Sequence, residues 1–560
     1  MKPIIYQLFP RWFTNACPQP VPNGTIRQNG VGKLNEITDD VLVKLRKLGV
    51  THVWPTGVVE HATQSDFSDY GISPCNPHVV KGLAGSPYAI RDWYDISPEL
   101  AVDVPSRMAE FETFVERVHH AGLKLILDFV PNHVAREYRS DVLPANTAQL
   151  GDNDNCGMFF SPDNNFYYMV GEDFAPIDVD LGEGSGRYVE TPARATGNDC
   201  YSSSPCRNDW YETVKLNYGV DPWNGSKHFE PIPDTWHKML DIMLYWTGKG
   251  IDGFRCDMAH MVPVEFWHWA IDRVKQVAPQ LIFIAEIYDV SLYRSYIGYG
   301  GFDYLYDKVT LYDTLFNIIK HGCSARSLTS CWQTVDDISD HMLNFLENHD
   351  ELRIASPQFA GDVSLARPAV VVSATISRAP FMIYAGQELG EKGVDAEGYS
   401  GADGRTTIFD YWSVPSLRAW NHGGHFDLRG LSRVQRVTRR FYERLLNLCN
   451  TVPALERGEM YDLMWLNGDT LSGDKIYAYL RHDRPTGDTV LIVANFADAD
   501  AVLNVRLGVH VFEHLGITPH IYHMTELMTD VALGTIELEP DVTVPVTVSA
   551  HNAVVLHLTK

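Results

Sequence analysis

"TWHKMLDIMLYWTGKGIDGFRCD", residues 235–257, contains the repeating unit from which we predict the fold. Its first part places apolar residues at helical spacing, and a Gly-containing turn leads into the strand-like run "IDGFRC". The same order occurs in "MAEFETFVERVHHAG" followed by "LKLILDFV", and in "FWHWAIDRVKQVAP" followed by "LIFIAEIY". Alternating helices and buried strands are typical of a parallel sheet with crossover helices. About eight such strands precede residue 450, which predicts an α/β fold with a (β/α)8 TIM barrel.

Two parts of the chain depart from this alternation. About 100 residues rich in Asn, Asp, Gly, Tyr and Pro separate "LILDFVPNH" from "DTWHKML", far more than an ordinary loop needs. After about residue 455, short strand-like stretches alternate with polar turns, which predicts an antiparallel β-sandwich. We therefore expect three domains: a barrel over 1–133 and 234–454, a subdomain inserted after strand three over 134–233, and a C-terminal β domain over 455–560.

The composition narrows the classes of partner. Hydrophobic residues make up 45% of the 560 residues and charged ones 21%, as in a soluble globular protein. With 46 Lys and Arg against 71 Asp and Glu, the formal charge is −25, which should repel nucleic acid and anionic membranes. We expect a neutral substrate, no nucleic-acid or membrane partner and no organic cofactor, and the sequence predicts no particular oligomeric state.

The cysteines and the N-terminus bear on the cellular compartment. Nine scattered cysteines argue against a disulfide framework, although Cys200 and Cys206 are close enough in sequence to bridge. The N-terminal "MKPIIYQLFPRWF" lacks the apolar core and cleavage site of a signal peptide. Nowhere do about 18 apolar residues run together. We therefore expect a cytoplasmic protein, or a secreted one if a leader has been removed.

Polar residues stand at four predicted strand ends, where packing alone would favour apolar ones. The four stretches are "DFVPNH" (128–133), "GFRCD" (253–257), "IAEIY" (284–288) and "FLENHD" (345–350). A single Asp or Asn at a strand end often caps the next helix, so each motif alone has a structural interpretation. Four of them in succession favour a site instead, because the carboxyl ends of barrel strands meet at one rim.

Carboxylates converging with histidines and an arginine fit cleavage of a glycosidic bond. That reaction needs one carboxylic acid to protonate the leaving oxygen and one carboxylate near the anomeric carbon. Arg255 and Asp257 point to the same face of a strand, so the arginine can keep the aspartate ionised. We therefore predict Asp257 as the nucleophile and Glu286 as the acid, with a pKa raised by burial and nearby negative charge.

These four stretches, in this order, resemble the signature regions of the α-amylase family, glycoside hydrolase family 13. The resemblance covers the barrel, the insertion after strand three and the C-terminal β domain. It implies a retaining mechanism on α-glucans through a glycosyl ester on Asp257, with Glu286 as acid and then base. It also implies that Asp350 binds hydroxyls of the sugar at the cleavage point. Further family matches are His133 and His349 as hydrogen-bonding histidines, Arg255 as the positioning arginine and Asp128 as a structural aspartate.

Other parts of the resemblance are weaker. "GSPYAIRDWYDI" (85–96) resembles a family segment in which Tyr88 would stack on a sugar ring and Asp92 matches an aspartate. Many starch-degrading members have Lys-His where this chain has His260 and Met261, so His260 would hold the glucan beyond the cleaved bond differently. Within the insertion, "KLNYG" (215–219) is a loose counterpart of a fifth family motif.

The resemblance also raises the question of calcium. Asn132 matches a family calcium ligand, and the residue at the Met261 position offers its backbone carbonyl to the ion in related enzymes. Runs such as "GDNDN" (151–155) and "SPDNN" (161–165) provide further oxygen atoms, which suit Ca²⁺ but are also ordinary turn residues. The sequence leaves calcium binding open, with Asn132 as the one ligand that we predict.

Three functions remain open from the sequence. The first is hydrolysis of α-1,4 bonds in starch, glycogen or maltodextrins. The second is transfer of the same glycosyl group to a sugar hydroxyl, as in a transglycosylase, a branching enzyme or a trehalose-forming enzyme. The third is glycan binding without catalysis, which the presence of all three carboxylates, Asp257, Glu286 and Asp350, disfavours.

Overall fold

The computed structural model describes residues 1–145, 147–177, 186–471 and 473–560. Eight parallel strands, here β1 to β8, close into a barrel in sequential order, and β1 pairs with both β2 and β8. The predicted (β/α)8 barrel is therefore confirmed. The strands are β1 (Ile4–Leu8), β2 (His52–Pro55), β3 (Lys124–Phe129), β4 (Gly253–Cys256), β5 (Ile282–Ala285), β6 (Tyr304–Tyr306), β7 (Met342–Phe345) and β8 (Phe381–Tyr384).

The helix Asp39–Leu48 illustrates why these crossover helices form. Asp39 and Asp40 lie in its first turn and Arg46 and Lys47 in its last, where they complement the helix dipole. It ends at Gly49, whose φ of 107° is a left-handed conformation that glycine adopts without strain. The other α-helices are Pro10–Phe13, Ile26–Asn29, Arg107–His120, Asp234–Gly248, Val264–Val277, Tyr293–Gly298, Asp313–Lys320, Ser327–Thr334, Arg367–Thr375, Pro415–Asn421, Arg433–Thr451, Pro453–Glu456, Met464–Asn467 and Val509–Leu515.

The segment between β3 and the helix Asp234–Gly248 forms the predicted insertion. It holds two short antiparallel pairs, one of which begins directly beyond β3. In that pair His133 lies opposite Lys215, which fixes the insertion to the rim of the barrel. The paired strands are His133–Ala135 with Thr213–Lys215 and Tyr168–Met169 with Ala193–Arg194, and a further pair, Val59–His61 with Ile90–Ile96, follows β2.

The C-terminal region is antiparallel, as predicted. Six strands form one sheet and two form another, and side chains of the smaller sheet alternate between buried and exposed. The larger sheet comprises Glu459–Asp462, Ile476–Asp483, Asp488–Asn495, His520–Glu526, Val531–Leu538 and Asn552–Thr559, and the smaller comprises Ala501–Leu507 and Val542–Val548.

The structure also bears on the cysteines and on membrane-spanning helices. Cys200 and Cys206 are separate free thiols, as are the other seven cysteines. Within the described residues, no helix combines the length and the apolar character needed to cross a membrane.

Candidate active site

The predicted carboxylates meet at the carboxyl ends of the barrel strands. Asp257 lies just beyond β4, Glu286 follows β5 directly, and Asp350 lies in the loop after β7. All three line one cavity of about 340 Å³, together with Tyr88 and His133. The fold therefore brings together five side chains, the first and last of which, Tyr88 and Asp350, are more than 250 residues apart in sequence.

Arg255 forms the base of this carboxylate cluster. Its Nη1 donates to Asp257 Oδ1 at 2.7 Å and to Asp128 Oδ1 at 3.3 Å, and its Nη2 lies 2.8 Å from Glu286 Oε2. The strand register explains part of this arrangement, because Arg255 on β4 lies directly beside Asp128 on β3. Nε donates to Tyr306 Oη at 3.1 Å, so neighbours on several strands fix the fully buried guanidinium. One guanidinium thus positions both predicted catalytic carboxylates.

Opposing influences act on the pKa of Asp257. Burial raises the pKa of Asp257 well above its ordinary value, and although Arg255 lowers this pKa, Glu286 and Asp350 raise it further. Several carboxylates share one arginine here, so their titrations are coupled. Burial and the neighbouring carboxylates thus act on the pKa of Asp257 in the opposite direction to Arg255.

Glu286 accepts hydrogen bonds on both oxygens. The backbone N–H of Met258 donates to Oε2 at 2.9 Å, and the hydroxyl of Tyr288 donates to Oε1 at 2.5 Å. Tyr288 also lines the cavity. Glu286 is therefore held from two sides, by the backbone of the residue after Asp257 and by the side chain two residues after Glu286 itself.

Asp350 is positioned by its neighbour His349. His349 Nε2 lies 2.9 Å from Asp350 Oδ2, and Nδ1 of the same ring lies 2.8 Å from Gln7 Nε2. Partial burial acts to raise the pKa of Asp350, but His349, Arg255 and Arg405 together bring it below its ordinary value. The ring of Tyr88 stacks on His349 at 4.9 Å. His349 thus lies behind the cavity wall and acts through Asp350 and Tyr88.

His133 reaches the cavity directly and stays neutral. Burial, together with the nearby charge of Lys215, lowers the pKa of His133 to about 3. The side-chain amide of Asn132 lies 3.1 Å from His133 Nδ1. Since Asn132 Nδ2 can only donate, Nδ1 accepts and Nε2 carries the proton, which suits donation to a sugar hydroxyl.

His260 lies outside the carboxylate cavity. It lines a neighbouring cavity of about 420 Å³, with Lys215 and Met261. Its ring is 6.3 Å from that of Tyr288, which lines the first cavity. His260 therefore borders the site through Tyr288, and its contact with a glucan stays a prediction.

Several residues that line the cavity had no recognisable motif. Lys81 Nζ pairs with Glu212 Oε1 at 2.9 Å, which joins the loop after β2 to the insertion. The signal for Tyr288 was its position two residues after Glu286, on the same strand end. The other lining side chains depend on loop conformations that the pattern of apolar residues does not encode. The cavity residues absent from the sequence prediction are Lys81, Ser86, Trp210, Glu212, Thr213, Met258, Tyr288, Ile408 and Phe409.

The residues around Asn132 do not fit a calcium ion. Asn132 Oδ1 accepts a hydrogen bond from the ammonium of Lys215, which also bonds to the Met261 carbonyl at 3.3 Å. In the "GDNDN" run, Asp154 accepts hydrogen bonds from the backbone of Asn165 and Phe166. The oxygens of Asn132, Met261 and Asp154 are thus bonded to donors of the chain itself.

Comparison with known proteins decides the family. The model of the α-amylase catalytic domain matches residues 7–152 and 232–413, which leaves out most of the insertion between β3 and β4. The chain belongs to the α-amylase family. The match covers the barrel strands that carry Asp257, Glu286 and Asp350.

Relatives within the α-amylase family include both hydrolases and transferases. Alpha-amylase 3 of Dictyoglomus thermophilum is 22% identical over 479 residues, covering 82% of this chain and 79% of that protein. An alpha-1,4-glucan:maltose-1-phosphate maltosyltransferase of Cereibacter sphaeroides is 25% identical over 390 residues, covering 62% and 53% respectively. The chain spans little more than half the length of that transferase.

Solved structures share the fold of this α-amylase family member. The maltogenic alpha-amylase AmyB of Thermotoga neapolitana aligns with a TM-score of 0.63 at 20% identity, over 100% of this chain and 99% of that one. The alpha-amylase of Geobacillus thermoleovorans, solved with acarbose, aligns at 0.64 and 18% identity, over 100% and 98%. At these identities, the likeness concerns the fold.

Proposed function

We propose that the protein is a retaining glycoside hydrolase that cleaves α-1,4-glucosidic bonds in starch, glycogen or maltodextrins. The observation that carries this proposal is the contact of one guanidinium, that of Arg255, with both Asp257 and Glu286. Retaining enzymes need two carboxyl groups about 5 Å apart. One attacks the anomeric carbon, and the other protonates the group that leaves this carbon. Two carboxylates on adjacent nitrogens of one arginine favour this close spacing.

In the first step, Glu286 gives its proton to the glycosidic oxygen while Asp257 attacks the anomeric carbon. The bond from that carbon to the leaving oxygen breaks, and a glycosyl ester forms on Asp257. Water then attacks the same carbon, and Glu286 takes a proton from it as the ester bond breaks. Two inversions give a product with the starting α-configuration.

The cavity walls suit a neutral sugar. Tyr88, Trp210, Tyr288 and Phe409 present aromatic side chains on which the C–H face of a glucose ring can pack. His133 offers a neutral donor, while Asp350, held by His349, offers an acceptor for the hydroxyls of the sugar at the cleavage point. Polar groups placed among aromatic walls are typical of a site that orients a small ligand.

The alternative is transfer of the glycosyl group to a sugar hydroxyl. It is favoured by the maltosyltransferase among the relatives, and it uses the same ester on Asp257. The two activities differ only in which acceptor reaches that ester. His260 and Met261 stand where many starch-degrading members have Lys-His. This chain therefore differs from those members on the side of the site where the acceptor would bind.

A product profile on maltoheptaose and soluble starch tests the proposal. Hydrolysis predicts that reducing ends increase with time and that short maltooligosaccharides appear, whereas Glu286→Gln produces neither. Longer or rearranged glucans with a constant number of reducing ends would assign the protein to the transferases. Full activity of Glu286→Gln would contradict the chemistry proposed for both activities.

A further inference from the structure

The ammonium group of Lys215 lies at the junction of three segments that border the active site. It donates to Asn132 Oδ1 at the end of the third barrel strand and to the Met261 carbonyl beyond Asp257. It also lies 2.8 Å from Asp199 Oδ1 in the insertion. The Lys215 side chain is 6% exposed, so this charge is buried among these oxygens.

Local backbone structure places both partners of the ion pair. Lys215 lies opposite His133 in the short antiparallel pair, so its side chain starts beside Asn132. Asp199 has a φ of 60°, a conformation that non-glycine residues seldom adopt. Gly197, two residues before it, accepts a hydrogen bond from Asn132 Nδ2 at 2.7 Å through its carbonyl. Asn132 thus contacts two parts of the insertion, Gly197 through its amide nitrogen and Lys215 through its amide oxygen.

This set of oxygens suits an ammonium better than calcium. An ammonium has three N–H donors, and three oxygens surround Nζ. Calcium takes six to eight oxygens at about 2.3–2.6 Å. An ion bound to Asn132 Oδ1 would also lie next to a buried positive charge, and the two charges would repel each other.

We propose that Lys215 is the resident cation of this junction and makes the Asn132 site independent of calcium. The amino group supplies from within the chain the positive charge that joins the third barrel strand, the insertion and the segment after Asp257. His133 follows Asn132 directly, and Asp257 lies four residues before Met261. The contacts of Lys215 with Asn132 and Met261 therefore fix the parts of the cavity wall that carry His133 and Asp257.

Thermal unfolding in excess EGTA and in millimolar CaCl₂ tests the proposal without any activity assay. We expect the Tm of the wild-type protein to differ by less than about 1 °C between the two conditions, because a ligand that binds the folded state would raise it. Lys215→Ala should lower the Tm by several degrees in EGTA and recover part of that loss in CaCl₂. Lys227→Ala is the matched control, because Lys227 is an exposed lysine of the same insertion that also forms an ion pair, with Glu265.

Two outcomes would overturn the proposal. One is a calcium-dependent rise in the wild-type Tm that Asn132→Ala abolishes, because calcium would then bind Asn132 with Lys215 in place. The other is a Tm of Lys215→Ala in EGTA equal to that of wild type and of Lys227→Ala. Should Lys215→Ala fail to fold, the wild-type and Asn132→Ala comparison still decides whether this site binds calcium.

Discussion

Asp257 Oδ1 accepts a 2.7 Å hydrogen bond from Arg255 Nη1, and Nη2 of the same fully buried guanidinium lies 2.8 Å from Glu286 Oε2. A buried ion pair is weak evidence for stability, because the loss of hydration offsets much of the attraction. The planar guanidinium can hold two carboxylates in fixed positions at once, which a lysine ammonium cannot do in the same geometry. The contacts with Asp257 and Glu286 therefore explain why a charged residue, Arg255, lies in a barrel strand.

Arg255→Lys should reduce kcat/KM by at least about 100-fold, because charge-assisted hydrogen bonds contribute roughly 1.5–3 kcal/mol each. The variant keeps the charge but loses the planar fork. Kinetics on a maltooligosaccharide measure the loss, and circular dichroism verifies the fold. Arg378→Lys, at a surface pair with Asp340, is the control and should leave kcat/KM unchanged. A loss of less than threefold in Arg255→Lys would show that the guanidinium does not position the carboxylates.

Tyr288→Phe should lower kcat by about tenfold and change KM little. The substitution removes the 2.5 Å hydrogen bond to Glu286 Oε1 and leaves the aromatic wall of the cavity in place. Steady-state kinetics separate the two parameters. Tyr299→Phe, at a half-exposed residue, serves as the control. An increase in KM with unchanged kcat would instead assign Tyr288 to substrate binding alone.

The ion pair between Lys81 and Glu212 should affect binding more than chemistry. Lys81→Met and Glu212→Gln should each raise KM by about tenfold, and the double variant should lose less than the product of the two effects, because the partners act as a unit. A double-mutant cycle on KM measures this coupling. Strictly multiplicative effects would mean that the two side chains contact the substrate independently.

Glu60 should make the protein less stable as the pH rises. Burial, together with the nearby charge of Asp92, raises the pKa of Glu60 to about 8. The folded state therefore binds more protons than the unfolded state above pH 4.5, so the free energy of unfolding falls by up to about 1.4 kcal/mol per pH unit until the pH reaches about 8. Glu60→Gln carries no titrating proton and should escape this loss.

Differential scanning calorimetry over about pH 5–8 checks the prediction for Glu60. The Tm of Glu60→Gln relative to wild type should increase steadily with pH. Glu539→Gln, at an exposed position, should give a constant difference. A difference that is constant or decreases with pH in Glu60→Gln would contradict the assigned direction of the pKa.

The barrel and the three carboxylates could be predicted because their signals are local. A helix followed by a buried strand is visible in the spacing of apolar residues, and a polar residue at a strand end lies at the rim wherever the barrel closes. Asp257, Glu286 and Asp350 follow this rule. Lys81 and Glu212 do not, because their contact joins two loops that are more than 100 residues apart in sequence.

The contacts of Asn132 bear on calcium binding, which the sequence leaves open. Asn132 and the Met261 carbonyl do lie together, as a shared metal site would require. The group between them is Lys215, in the stretch "KLNYG" that only loosely matched a family motif. Its position depends on the pairing of Thr213–Lys215 with His133–Ala135, a contact across some 80 residues that no periodicity indicates.

The most direct test of the mechanism is to trap the glycosyl ester. A fluorinated glycosyl fluoride destabilises the charged transition state of both steps, while its reactive leaving group lets the ester form faster than it breaks down. Peptide mass spectrometry should then find one glycosyl adduct, on Asp257, and none in Asp257→Asn. Turnover of this reagent without an adduct on Asp257, or with an adduct on another residue, would contradict the assignment of Asp257 as the nucleophile.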